Sequence, residues 1–459
     1  MNSLLSALFL FYVKGVLPFA FLIGLILVII ATFGIDCGVH RIYVQYLLRI
    51  FEFCRQAIAK KARKARLVRL RNVYDDSSDD EKLSSQLDYK YSNIEKGIMK
   101  FPTEDEESTH EFELSDAFEF IRRGVKAIID DEVTKRFSAE ELQTWNLLTR
   151  TNKNYHFVSF RLTVIWLCGW LFRFGILFPI RCVFLFIGMV YLIVTCAAVG
   201  MLPEGKLKRS IYRHVSITAF RILSRSVSAV INFHNTKYKP KQGSLCVANH
   251  TSPVDAVFLH TDNAYALVGQ LHGGFLGVME RALSRATSHI FFDRFEVRDR
   301  QLVASRIQAH VRDPNKLPIL IFPEGTCINN SAVMMFKKGS FEGVDVVYPV
   351  AVKYNHIFGD SFWDSSKYGF FTYLMMMMSS WAIVLDIWYL PPMTKEEGEN
   401  AVDFANRVKS AIAKQGGLID LDWDGQLKRQ RVKPDLKAKV QIDIKNKENV
   451  FKGNVRFMS

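Results

Sequence analysis

Two short segments hold the residue types that move protons and hold anions. In GSLCVANHTSPVDAVFL, residues 243–259, an apolar run leads into Asn249 and His250, followed by Thr251, Ser252 and Pro253. The ordinary pKa of histidine lies close to neutral, which suits a general base. If Ser252 caps a helix and Pro253 takes its first position, Asp255 falls one turn in. From there its carboxylate reaches back to the imidazole, fixes the tautomer and raises the basicity of the other ring nitrogen. Such a pair can take a proton from an alcohol. Taken alone, the spacing fits a structural histidine and a helix cap at least as well.

The second segment is KLPILIFPEGTCINNSAVMMFKKGSFE, residues 316–342. A strand ends in Pro323, Glu324, Gly325 and Thr326, and a polar loop follows. Backbone N–H groups around a glycine-bearing loop hold phosphate oxygens. Lys337 and Lys338 bring point charges for an anionic ligand. An ordinary strand and turn with an exposed lysine pair would read the same way. In HIFFDRFEVRDR, residues 289–300, Arg294 offers a guanidinium fork that matches a phosphate. A lone arginine more commonly ends in a surface salt bridge. In VYPVAVKY, residues 347–354, Pro349 interrupts a strand run, which predicts an edge strand or a bulge. No cluster of metal ligands is evident, so no metal site is expected.

These segments need a scaffold. SLCVAN (244–249), PILIF (318–322), VVYPVAV (346–352) and AIVLDIWYL (382–390) read as strands bounded by turn residues. Residues 299–312 and 401–414 read as helices between them. Thr394 and Glu397 fit a capping box ahead of the second helix, and Gly416–Gly417 fit its end. Strands alternating with helices predict an α/β domain, a mixed sheet flanked by helices.

Upstream the chain is strongly apolar. Residues 15–35 carry no internal charge and are long enough to cross a bilayer, at about 31 Å. They predict an N-terminal transmembrane helix rather than a cleaved signal peptide. A second apolar block covers 162–203, with Arg173 inside its first half and Pro179 and Arg181 at its middle. A charge at mid-bilayer is costly. The basic run 55–71 and the charges at Lys206, Lys208 and Arg209 both favour the cytosolic side. A membrane-embedded helical hairpin turning at Pro179–Arg181 satisfies both flanks, as do two helices half-sunk in one leaflet. Residues 72–110 are acidic and serine-rich and read as a solvated linker; 111–150 read as amphipathic helices. The expected division is an anchor at 1–35, a linker with amphipathic helices at 36–160, a membrane hairpin at 161–205, a catalytic domain at 206–430 and a basic tail at 431–459.

Composition excludes several classes. The chain has 459 residues, 49% of them hydrophobic, with 36 Phe and a formal charge of +14. That is neither a disordered chain nor a small secreted scaffold. Seven scattered cysteines show neither zinc-finger spacing nor a disulfide framework. The basic residues sit beside membrane segments, where anionic lipid accounts for them, so no nucleic-acid partner is expected.

Four ordered blocks carry a resemblance: Asn249-His-Thr-Ser-Pro-Val-Asp255, Phe292-Asp-Arg294, Phe322-Pro-Glu-Gly-Thr326 and Val347-Tyr-Pro-Val350. Together they resemble the glycerolipid acyltransferase family. The longer strings VGQLHGG (268–274), FPEGTCINN (322–330) and MMFKKGSFE (334–342) most resemble its endoplasmic-reticulum glycerol-3-phosphate acyltransferases, types 3 and 4. FPEGTC is also similar to lysophosphatidylcholine acyltransferases, which keeps a lysophospholipid acceptor open. The second block reads FFDR, where close relatives tend to have Glu before the Arg; both are acidic. The resemblance implies acyl transfer from acyl-CoA, as co-substrate and without a cofactor, to the sn-1 hydroxyl of glycerol 3-phosphate. It implies that Arg294, Glu324 and Gly325 help bind the acceptor phosphate and that Pro349 shapes the acyl-CoA side. A carboxylate repels a phosphate, so Glu324 is expected to orient Arg294 or another donor. The resemblance further implies an endoplasmic-reticulum membrane protein, multi-pass, whose catalytic domain faces the cytosol and works against membrane lipid. Asn249 and Asn329 head glycosylation sequons, which a cytosolic face would leave bare. A serine hydrolase built on Ser252 is disfavoured because no G-x-S-x-G elbow is present.

Overall fold

The computed structural model describes residues 38–73, 134–139, 159–292 without 272, and 297–425, with isolated positions between 14 and 30. Most of the expected anchor, most of the linker and its amphipathic helices, and the basic tail lie outside these residues.

The domain is α/β with a mixed sheet. Its strands are β1 (Ala229–His234), β2 (Leu245–Ala248), β3 (Ala266–Gln270), β4 (Ile290–Phe292), β5 (Ile319–Ile321), β7 (Val346–Asn355), β8 (Ile383–Tyr389) and the short β9 (Met393–Thr394). Their order is β1-β8-β7-β2-β5-β3-β4, with β9 paired to β7. Only the β7 pairings with β8 and β9 are antiparallel. A small parallel pair joins β6 (Ala332–Val333) to β10 (Ile419–Asp420).

β2 shows why the central strands read as unbroken apolar runs. Leu245 and Val247 face one core with Ile319, Ile321 and Ala351. Cys246 and Ala248 face the other with Leu320, Val350 and Val352. A strand covered on both faces needs apolar residues at every position. β7 extends through Asn355, beyond its expected end, because β8 pairs with it to that point.

Pro349 does not mark an edge. β7 lies inside the sheet, and Pro349 pairs with Val247 of β2. On its other side it falls where the partner changes, between Val347 on β9 and Val350 on β8. A proline costs little where the antiparallel ladder is already interrupted.

Helix α1 (Val39–Val73) carries the basic run of 55–71. Helices α2 (Phe160–Phe172) and α3 (Phe178–Gly200) are joined by a π-helical turn, Arg173–Leu177, into one helix of 41 residues. The hairpin turn expected at Pro179–Arg181 is therefore absent. Proline lacks an N–H and crowds the preceding turn, and the widened π turn takes up that mismatch. Arg173 and Arg181 are buried against the domain. Arg181 donates to Ser228 Oγ at 2.8 Å and to the carbonyls of Met378 at 2.7 Å, Ser380, and Trp381 at 2.6 Å. Arg173 donates to the Ser379 carbonyl at 3.1 Å. These carbonyls lie around the C-terminal end of α8 (Phe370–Met378), where cations are favoured. Phe184, Leu192, Cys196 and Val199 of α3 are buried, while Phe160, Leu171, Phe186 and Val194 along the same helix are exposed.

Helix α4 (Lys206–Arg225) packs on α3 at Gly188. A Cβ there would lie 2.8 Å from a methyl of Leu223, so the approach requires glycine. The short α5 (Asp255–His260), α6 (Gly274–Ala286), α7 (Val297–Val311) and α9 (Ala401–Gly416) complete the layers. Asn400 caps α9, accepting from Val402 N and Asp403 N, and Gly417 ends it at φ +59°. The expected capping box fails because Thr394 is engaged in β9.

Candidate active site

The site forms beyond the C-terminal ends of β2 and β5, which are parallel neighbours. The loop that leaves β2 heads past β5 toward β3 and the loop that leaves β5 heads past β2 toward β7, so the two meet over these strand ends, where Glu324 Oε1 accepts from His250 N.

His250 lies two residues past the end of β2. Its Nδ1 lies 3.0 Å from Asp255 Oδ2. The helix begins at Asp255, two residues later than Pro253 suggested. Ser252 Oγ accepts from Val254 N at 3.2 Å, closing a tight turn ahead of the helix. The Asp255 carboxylate holds that turn, accepting from Thr251 N at 2.8 Å and Ser252 N at 2.9 Å. Tyr354 OH donates to its other oxygen. A carboxylate that accepts from Nδ1 leaves Nε2 with the free lone pair. Burial pushes the imidazole pKa down, but the Cys327 sulfur and the Asp255 carboxylate outweigh it and hold it above its ordinary value. Phe322 stacks on the ring at 4.3 Å between centroids.

Glu324 is buried, and its partners are backbone donors: His250 N at 2.7 Å and Met334 N at 2.9 Å. Burial pushes its carboxyl up to about 7, against the pull of those two N–H groups. Glu324 was expected to orient Arg294 or another donor, and the donors it meets among the described residues are the main-chain N–H groups of His250 and Met334. Arg294 itself lies outside the described residues.

Gly325 is exposed at φ +65°, a conformation that favours glycine. Lys337 arches over it, its Nζ 3.2 Å from where a Cβ would stand. Thr326 is half-buried in the same loop. Lys338 points away, exposed and 3.6 Å from Glu342. Pro349 lies in β7 next to Val350, which pairs with Ala248, two residues before His250.

Four residues at the site went unassigned in the sequence. Tyr354 reaches Asp255 from β7, a contact that only strand order reveals. Asn330, at φ +59°, donates to Thr251 Oγ1 and accepts from Tyr354 N, both at 2.8 Å. Arg136 donates to Ser331 Oγ at 2.8 Å, bringing a segment of the expected linker onto this loop. Cys327 Sγ lies 3.5 Å from His250 Nε2; its place in FPEGTC was the available signal.

Asn249 and Asn329 are both buried and hydrogen-bonded. A glycan on either side chain would break these bonds and could not be housed in this fold. Ser252 Oγ pairs with Tyr373 OH rather than with His250, which removes the basis for a serine nucleophile. Among the described residues no group of three or more His, Cys, Asp or Glu is placed to hold a metal. A cavity of about 400 Å³ opens at the opposite end of the sheet, lined by Lys208, Arg209, Tyr212, Arg285 and Lys316. Its lining precedes β4 and β5, whereas His250 and Glu324 follow β2 and β5.

A family model described as Acyltransferase matches residues 230–353, which contain His250, Asp255, Glu324 and Pro349. Glycerol-3-phosphate acyltransferase 4 of Mus musculus is 51% identical over 419 residues, 90% of each chain. Glycerol-3-phosphate acyltransferase 3 of Rattus norvegicus is 49% identical over 420 residues, 92% of this chain and 88% of that one. A solved structure of the 1-acyl-sn-glycerophosphate (LPA) acyltransferase PlsC from Thermotoga maritima aligns with a TM-score of 0.37 at 16% identity, covering 51% of this chain and 93% of that one.

Proposed function

Because this chain belongs to the acyltransferase family that includes glycerol-3-phosphate acyltransferases 3 and 4, we propose that it transfers a fatty acyl group from acyl-CoA to the sn-1 hydroxyl of glycerol 3-phosphate. The products are lysophosphatidic acid and free CoA. The observation that carries the residue assignment is the 3.0 Å contact between His250 Nδ1 and the buried Asp255 carboxylate.

His250 Nε2 takes the proton of the acceptor hydroxyl as its oxygen attacks an acyl thioester. Asp255 steadies the imidazolium that forms. Assistance of this kind is worth about 10²–10⁴-fold in rate. The thiolate that departs is a good leaving group and needs little help. Lys337, whose amine lies across Gly325, is the candidate to hold the acceptor phosphate, with Arg294 as a further candidate. Glu324 holds the His250 main chain. Pro349 acts on the acyl-CoA side only through the strand that supports it.

The lipid product suits attachment to a membrane. The helix 160–200 is, among the described residues, the one stretch long and apolar enough to cross a bilayer, and it keeps exposed apolar side chains along its length. Its exposed face would lie in lipid, with the α/β domain on the cytosolic side of the endoplasmic-reticulum membrane, where acyl-CoA is at hand.

The test is an assay of purified full-length protein with labelled acyl-CoA and competing acceptors. Glycerol 3-phosphate should be the preferred acceptor over lysophosphatidic acid and lysophosphatidylcholine. His250→Ala should lower the rate by about 10²-fold or more. Preference for a lysophospholipid would overturn the acceptor, and an undiminished variant would overturn the base.

A further inference from the structure

At the end of the sheet opposite His250, a cavity of about 400 Å³ opens between the start of α4, the end of α6 and the turn before β5. Its volume falls within the roughly 300–1,000 Å³ of ligand sites. Lys208 and Arg209 of α4, Arg285 of α6 and Lys316 of the turn line it, against Glu204 and Asp313. These cations come from three separate stretches of chain, so the fold gathers them rather than a single basic run.

The two carboxylates leave most of that charge unanswered. Glu204 pairs with the buried Lys208 at 2.6 Å. Asp313 turns back on its own turn and accepts from Asn315 N at 3.0 Å. Arg209 donates to the neutral Asn315 side chain at 3.4 Å. Among the described residues, no carboxylate lies within ion-pair distance of Arg209, Arg285 or Lys316. The start of α4 gives an independent sign. A helix N-terminus carries unpaired N–H groups and a partial positive charge, so it favours acidic residues and disfavours basic ones. The first turn of α4 does the reverse: Gly205 caps it without a side chain, and Lys206, Lys208 and Arg209 follow with no acid among them. An anion seated there offsets a helix start built against its own dipole.

We propose that this cavity is a second anion site, separate from the catalytic one, and that it binds a phosphate monoester. Four cations against two carboxylates leave an excess that a phosphate monoester, close to doubly charged at neutral pH, balances. Arg209 and Arg285 offer guanidinium forks for its oxygens, and Lys208 and Lys316 add point charges. Ser284, Thr287 and Ser288 bring hydroxyl groups to the same wall. A soluble phosphate ester and a phosphatidic acid headgroup share this chemistry, and the experiment separates them. The site stands apart from the acceptor assigned at the catalytic end: Lys316 precedes β5, whereas Glu324 follows it.

The experiment uses purified full-length protein in neutral detergent, with acetylation of Lys316 by acetic anhydride read by mass spectrometry. The probes are inorganic phosphate and short-chain phosphatidic acid, and Lys338, exposed and outside the cavity, is the internal control. A probe should slow acetylation of Lys316 several-fold and leave Lys338 unchanged. Protection by inorganic phosphate assigns a soluble phosphate ester; protection by phosphatidic acid alone assigns a lipid headgroup. Arg285 is exposed, so Arg285→Gln should fold. It should raise the probe concentration for half-protection by about tenfold or more, and Arg285→Lys should raise it less. Arg209→Gln gives a second reading of the same loss. Lys337→Ala should leave protection intact, because its amine lies at the catalytic end. The proposal is overturned if neither probe protects Lys316, or if both arginine-to-glutamine variants are protected like the wild type. Protection lost in Lys337→Ala overturns it too, as does equal protection by phosphatidylglycerol, which would show diffuse attraction to a charged lipid surface.

Discussion

Two of the regions that bury charged side chains in this molecule do so to opposite ends. Along the long helix, Arg181 spends its guanidinium on Ser228 and on carbonyls around the end of α8, and Arg173 adds a bond there. At the turn after β2, Asp255 is just as buried and just as heavily bonded. Both obey the rule that a buried polar group must find partners. The difference lies in what remains open. The partners of Arg181 are structural, so the cluster can only hold the helix to the domain. The Asp255 cluster ends on an imidazole whose outer nitrogen faces a thiol and a partly exposed opening. Dense hydrogen bonding alone therefore does not mark a reactive site; a network that terminates in a titratable, reachable atom does.

That contrast is most exposed to failure at Arg181. Removing it strands several buried acceptors, each of which costs about 1–3 kcal/mol when left unpaired. Arg181→Ala should lose at least about 3 kcal/mol of stability, a large share of the 5–15 kcal/mol typical of a folded domain. Thermal unfolding in detergent would show it as an early transition or as failure to accumulate folded protein. Unfolding at the wild-type temperature would mean that the helix is not anchored by this side chain, and the two regions would no longer be comparable.

The second probe separates holding from reacting. The imidazole acts as a base only when neutral, and its pKa is raised in the fold by neighbours that include Asp255. The rate should therefore rise with pH through a limb above the ordinary histidine value of 6.5. In Asp255→Asn one of the raising influences is gone while burial still presses the pKa down, so the limb should move to lower pH. The plateau rate should fall by about 10²-fold or more. A limb that stays put while the rate falls would show that Asp255 only shapes the turn, making it the counterpart of Arg181 rather than its contrast.

How much of this was legible in the sequence depended on the reach of each contact. His250 and Asp255 lie within one turn of chain, so their meeting followed from local spacing. The sheet was legible because strands covered on both faces leave unbroken apolar runs. Glu324 was visible as a motif residue, yet its partners were not: whether a carboxylate faces a phosphate or two backbone N–H groups is settled by how β5 lies beside β2. Tyr354 and Asn330 depend in the same way on the order of β7 and β2. The hairpin was misjudged because Arg173, Pro179 and Arg181 read as interruptions in a lipid-facing segment. Their cost disappears once α8 presents its carbonyls, and nothing within residues 162–203 announces that. Cys327 was counted as one of seven scattered cysteines because its partner stands 77 residues away.

The smallest effect is expected at Lys338, and it defines where the reactive region stops. Lys337 and Lys338 are adjacent and chemically alike, so residue type alone gives both the same claim on an anion. The loop separates them: Lys337 lies across Gly325, whereas Lys338 extends into solvent beside Glu342 at 3.6 Å. Both members of that pair are exposed, and such pairs contribute about 0–1 kcal/mol. Lys338→Ala should therefore leave the unfolding temperature within error and the KM for glycerol 3-phosphate unchanged, measured beside the wild type in one assay. A KM raised several-fold would place Lys338 on the substrate, with the 338–342 turn moving during binding. The edge of the site would then extend to Glu342, and a side chain facing water in the resting protein would belong to the network that ends at His250.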